Sequence, residues 1–289
     1  MLNPRLFLVA VIWGINFPVV KFALADFYPL SFTLVRFILA ALFLIAVMLL
    51  QRESFFIAPA DRTAVLKLGF VGITVYNLFF MYGLNYTTAS NSALIIALSP
   101  LFAVLIQRRS GSERLSLRSL LGFLIAFAGV LLIIKSHSGA FQYSSREFWG
   151  DMLTLIASIA WALYTVQAVP LLQKYSPIKV TAYSMTAGSV LLLPFAFSEM
   201  NMQAWQTISA CSWYALLFAS IISGGVAFTL WYQGVKQIGV ARTVVYHYVM
   251  PCAAVAVAVL FLGEQITMMK LAGGIAVLLG ILLVQKNQK

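Results

Sequence analysis

Ring-bearing and amide side chains recur in this sequence at helical spacing. Trp13, Asn16, Phe17 and Val20 fall at i, i+3, i+4 and i+7, which is one face of a helix. A displacement of 148 residues turns that face into Trp161, Tyr164, Thr165 and Ala168. Tyr76, Asn77, Phe80 and Tyr82 form a further group, and Trp231, Tyr232 and Gln233 another. Asn91, Ser92 and Ser99 match Arg242, Thr243 and Met250 at a displacement of 151, with Tyr246 and His247 close by. Such groups offer ring faces, N–H donors and amides, the chemistry of holding a small molecule. The candidates for contact with it are Trp13, Asn16, Phe17, Tyr76, Asn77, Phe80, Asn91, Trp161, Tyr164, Trp231, Tyr246 and His247. Packing between helices by small and polar side chains is the competing explanation. A tryptophan in mid-span favours a place where its N–H finds a partner, so the strongest candidates are Trp13, Asn16, Trp161, Tyr164, Trp231 and Tyr246. The expected cavity is uncharged and suits a small zwitterion or a neutral amphiphile.

Bond-making chemistry would need a nucleophile with its base, and nothing in the sequence resembles that pair. Cys211 and Cys252 lack metal-ligand spacing, and no Gly-rich nucleotide loop is present. No catalytic residue, metal or cofactor is therefore expected.

The elements that carry these residues follow from composition. Of 289 residues, 62% are hydrophobic and 9% charged, against about a quarter charged in ordinary globular domains. The chain is expected to be an all-α integral membrane protein in contact with lipid. Its net charge of +11 is dispersed singly or in pairs between apolar runs, so nucleic acid is not an expected partner. A membrane helix takes about 20 mostly apolar residues. Ten spans satisfy that rule: 5–25, 30–50, 66–85, 90–107 and 117–134, then 150–171, 180–198, 213–234, 241–262 and 269–284. The first is expected to be a retained helix rather than a signal peptide, since Asn16 and Lys21 interrupt its apolar run. Nothing demands an oligomer, and a monomer suffices.

With the amino terminus in the cytoplasm, fourteen Lys and Arg fall on that side and four on the other. Both termini are therefore expected to be cytoplasmic. The chain also repeats. Gly83, Pro100, Glu113, Gly122 and Gly129 match Gly234, Pro251, Glu264, Gly273 and Gly280 at one displacement of 151. Two repeats, residues 1–135 and 150–289, hold five helices each, and an odd number inverts the second copy. Inverted repeats can exchange conformations at little cost and so open opposite faces in turn, with a site near the midplane.

Ionisable groups inside a bilayer are candidates for function by default. Lys21 and Arg36, near helix ends, are expected to reach the interface as anchors. His247 reads as a hydrogen-bonded packing residue before it reads as a proton switch. Glu113 and Glu264 are expected to cap the helix that follows each of them.

Trp13-Gly14-Ile15-Asn16-Phe17 followed by Lys21 resembles the first-helix signature of the EamA family in the drug/metabolite transporter superfamily. Arg36-Phe37 is similar to its Arg-aromatic pair. The series Gly83…Pro100…Glu113 and Gly234…Pro251…Gly263-Glu264 resembles its repeated domain, although Gly111-Ser112-Glu113 lacks a glycine directly before the glutamate. The resemblance spans nearly the whole chain and implies a ten-helix carrier. Members export amino acids, other metabolites or toxic compounds. The expected function is export of amino acids or related small metabolites across the inner membrane by alternating access. An uptake carrier or a multidrug exporter of the same fold is the alternative.

Overall fold

A computed structural model describes residues 3–109, 117–135 and 145–285, and every regular element among them is helical. In chain order these are α1 (Pro4–Ala23), α2 (Pro29–Leu50), α3 (Pro59–Tyr86), α4 (Ala89–Ile106) and α5 (Leu117–Lys135). Then come α6 (Ser145–Lys174), α7 (Pro177–Met202), α8 (Ala210–Ile238), α9 (Val249–Leu262) and α10 (Met268–Gln285). Seven of them, α1 to α4 and α6 to α8, are long and apolar enough to cross a membrane; α5, α9 and α10 carry shorter apolar stretches. The molecule is a multi-pass membrane protein.

Helix starts are written in the sequence. Pro4, Pro29, Pro59 and Pro177 occupy first-turn positions, where a missing N–H costs nothing. Asn3, Thr88, Ser176 and Ser209 accept hydrogen bonds from the first free N–H groups of α1, α4, α7 and α8. Helix α3 begins at Pro59, ahead of the expected 66. Charged Asp61 and Arg62 ride on a helical turn that extends ahead of its apolar part.

Several helices depart from regular geometry in ways that the apolar spacing did not announce. Phe70–Val75 in α3 and Phe218–Ala227 in α8 are π-helical. The span expected at 241–262 is not one helix. Val240–Thr243 gives way to a 3-10 segment, Val244–Tyr248, before α9 begins. Pro251 has no N–H to bond back four residues, so the turn before it tightens. Pro100 stands in the same relation to the break in α4 at Ala97 and Leu98.

Packing brings the irregular parts together. Helix α1 lies against α8 and α9, and α6 lies against α3 and α4. Helix α2 packs on α7 and α8, while α7 packs on α2 and α3; α5 packs on α10. Moving each helix five places along the order leaves this pattern unchanged. The α5–α10 contact is backbone against backbone. A Cβ on Gly129 would stand 2.6 Å from the Gly273 carbonyl oxygen, and one on Gly273 would stand 2.7 Å from that of Gly129.

Candidate binding site at the centre of the bundle

The π segments, the two helix breaks and the aromatic face of α1 converge on a cavity of about 30 Å³. That is room for about two water molecules, so the centre is narrow. Its walls are Trp13, Asn16 and Phe17 from α1, Arg36 from α2, Tyr76 and Phe80 from α3, and Ile96 from α4. Trp161 of α6, Phe228 of α8, His247 ahead of α9 and Met250 complete it.

Trp13 is the hub. Its ring centroid lies 5.2 Å from Trp161, 5.2 Å from Phe228 and 5.1 Å from Trp231, mostly edge-on. Such edge-to-face pairs gain energy beyond the area they bury. Tyr76 stacks on Phe80 at 5.3 Å, and Trp231 on His247 at 4.4 Å with planes 14° apart. His247 Nδ1 lies 3.1 Å from the Ser99 hydroxyl.

The two matched tryptophans are not equivalent. Trp13 Nε1 donates to the Ser223 carbonyl at 3.1 Å, in the π segment of α8. A displacement of 151 residues matches Ser223 to Gly72, in the π segment of α3. There Asn77 Nδ2 approaches the Gly72 carbonyl at 3.5 Å and bonds that of Ile73 at 2.8 Å. The matching position in α8 is Phe228, which cannot donate. Among the described residues Trp161 Nε1 is buried without a partner, as are Trp231 Nε1, His247 Nε2 and Asn16 Oδ1. An unpaired buried polar group costs about 1–3 kcal/mol, and three of these four belong to residues that line one cavity.

Seven of the twelve candidates therefore line the cavity: Trp13, Asn16, Phe17, Tyr76, Phe80, Trp161 and His247. Trp231 stands directly behind His247. Tyr164 stands one layer away, with its hydroxyl 3.2 Å from that of Ser184. Asn77 serves the π turn of its own helix. Asn91 is buried in the first turn of α4, away from the cavity walls, where its backbone N–H meets Thr88 Oγ1. Tyr246 is an end contact, since its hydroxyl accepts from the Asn3 N–H at 2.6 Å. A 3-10 segment advances 120° per residue rather than 100°, so it turns His247 inward and Tyr246 away from its expected face.

Arg36 was missed. It was expected at the interface, but it is 4% exposed and lines the cavity, which is therefore not uncharged. The Ala219 carbonyl holds it by accepting from its Nε at 3.1 Å, and Phe37 lies beneath it with Cζ 4.9 Å from the ring centroid. Its position as the one charge inside an apolar helix was the available signal. Phe228 was legible too, three residues before Trp231 on the same face.

Polar contacts tie the helices together at both ends of the bundle. At the end that carries Pro4, Asp61 accepts from Lys174 Nζ at 2.7 Å and from the Tyr175 hydroxyl at 2.8 Å. At the other end Lys21 is no anchor in lipid headgroups. Its ammonium donates to the carbonyls of Leu84, Asn85 and Thr87 at 2.7–2.9 Å, closing the carboxyl end of α3. Glu264 caps a helix, but not the one that follows it. It reaches the N–H groups of Ala89 and Ser90 at the start of α4, at 2.8 and 3.3 Å. Gly263, with φ +65°, turns the chain so that the carboxylate faces α4 rather than α10. Glu199 does the same for α2, accepting from Leu30 N–H at 2.6 Å and from the Tyr82 hydroxyl. Glu113 lies outside the described residues.

The model of the EamA-like transporter family matches residues 5–135 and again 148–285. The chain belongs to that family. A Bacillus subtilis relative, the uncharacterized transporter YyaM, is 28% identical over 94% of this chain and 90% of its own length. An uncharacterized transporter of Archaeoglobus fulgidus is 29% identical over 97% of this chain and 96% of its own. A probable terminal-alkyne amino-acid exporter of Streptantibioticus cattleyicolor is 25% identical over 78% of this chain and 74% of its own length. A solved crystal structure superposes over 98% of both chains with a TM-score of 0.71 at 19% identity, a likeness of fold. Family and relatives alike are transporters of the EamA type.

Proposed function

We propose that this EamA-family transporter exports amino acids or related small metabolites across the inner membrane by alternating access. In this reading its ten helices form two inverted repeats, and both termini face the cytoplasm. The observation that carries it is the central cavity, walled by rings and lined by polar atoms that no protein group satisfies. An amino acid has the parts to fit: an apolar side chain for the rings, an acceptor for the Trp161 N–H and an ammonium for Asn16 Oδ1. The name of the Streptantibioticus relative favours the same substrate class. The exchange pattern of helix contacts is what two inverted copies would produce. The test is solute counterflow with purified protein in liposomes, screened across amino acids, other metabolites and toxic cations. Saturable exchange of an amino acid supports the proposal. Exchange confined to toxic cations would replace it with multidrug export.

A further inference from the structure

The central cavity holds a fixed positive charge that no described residue neutralises. Arg36 is nearly fully buried, and among the described residues no carboxylate stands within ion-pair distance of its guanidinium. The buried acids of the bundle are committed elsewhere. Glu199 caps α2, Glu264 caps α4, and Asp151 accepts from the Thr87 hydroxyl at 2.7 Å. Among the described residues only the Nε edge of Arg36 is hydrogen-bonded, to the Ala219 carbonyl, and the Phe37 ring lies against the group. That leaves the two Nη groups, the fork that fits a carboxylate with two parallel hydrogen bonds. An unpaired buried charge is a standing cost to the fold, and Ala219 and Phe37 hold this one at the cavity wall.

The geometry points to Arg36 as the anion-binding group of the central site, and to a substrate that carries a carboxylate. The inference rests on the proposed role of the cavity and narrows its ligand to organic acids and amino acids. Neutral and purely cationic amphiphiles are excluded. The carboxylate pairs with the Nη fork of Arg36. Its apolar part lies along Phe80 and Phe228, which share the cavity wall. In an amino acid the ammonium meets Asn16 Oδ1, the unpaired acceptor on that wall.

Quenching of tryptophan fluorescence reads occupancy directly, since Trp13 and Trp161 wall the cavity. Purified protein is titrated with amino acids and simple aromatic and aliphatic monocarboxylates, and with the matching amides, which keep the shape and lose the negative charge. For acids that bind, the amide is expected to be at least about tenfold weaker, the value of one hydrogen bond to a charged group. Arg36→Gln is expected to abolish the discrimination, and Arg36→Lys to keep part of it. Without ligand, Arg36→Gln is expected to melt no lower than the native protein. A melting temperature that falls in Arg36→Gln while acid and amide still bind differently would assign Arg36 to structure and overturn the inference. So would equal binding of acid and amide by the native protein, or binding of no acid in the panel. Binding of acids without exchange in liposomes would instead overturn the transport reading and leave the Arg36 site standing.

Discussion

Trp13 and Trp161 match in the repeat, yet the structure predicts opposite consequences for replacing their indoles by phenylalanine. Trp13 Nε1 bonds the Ser223 carbonyl at 3.1 Å, and its ring touches Trp161, Phe228 and Trp231 at 5.1–5.2 Å. Trp13→Phe removes that bond and leaves a buried carbonyl short of a partner, at a cost of about 1–3 kcal/mol. Trp161 Nε1 has no partner to lose. Trp161→Phe removes an unsatisfied donor, so stability should hold to within about 1 kcal/mol. Binding should show the reverse order. Trp161→Phe takes away a donor aimed at substrate and should weaken affinity by about tenfold, while Trp13→Phe in the folded fraction keeps most of its ring face. The assay is paired: melting temperature in detergent without ligand, and ligand affinity by fluorescence or counterflow. Equal loss of melting temperature in the two variants would refute the asymmetry, and with it the claim that the free Trp161 N–H belongs to the substrate.

Other predictions test the frame around the site. A Cβ on Gly72 would overlap the Tyr164 ring, so Gly72→Ala should push α3 off α6 and lower the melting temperature sharply. Gly263→Ala meets open space and should cost only the strain of its positive φ, about 1 kcal/mol. Glu199→Gln weakens the cap on α2 and should cost about 1 kcal/mol, read as a lower melting temperature. Hydrogen bonds from Ser209, then Ser212, hold the Asp26 carboxyl below its ordinary range. A depressed carboxyl adds stability above its unfolded pKa, near 3.8. That contribution is lost as pH falls through the lower folded value. Asp26→Asn should lower the neutral plateau of a melting-temperature profile slightly and so flatten its acid limb.

Much of this was legible in sequence, and what was not has identifiable causes. Periodicity located the face Trp13, Asn16 and Phe17 because an α-helix keeps its phase over four residues. It failed for Tyr246 because a 3-10 segment breaks that phase, and Pro251 was the only sign of it. Arg36 was misplaced because distance along a helix does not report depth once α7 and α8 cover it. Lys21 was assigned to the lipid interface and Glu264 to the helix that follows it, whereas both reach helix ends that are distant in sequence. The cross-assignment of Glu264 to α4 depends on how the helices assemble, which no local pattern encodes.

Alternating access through the central cavity is the account's main claim, and access can be measured. With Cys211 and Cys252 replaced, Ile96→Cys places one thiol on the cavity wall. An anionic, membrane-impermeant thiol reagent is then applied from one face or the other of oriented proteoliposomes. The account predicts modification from both faces, each slowed by saturating substrate. Modification from a single face, with the other inert under all conditions, would contradict it.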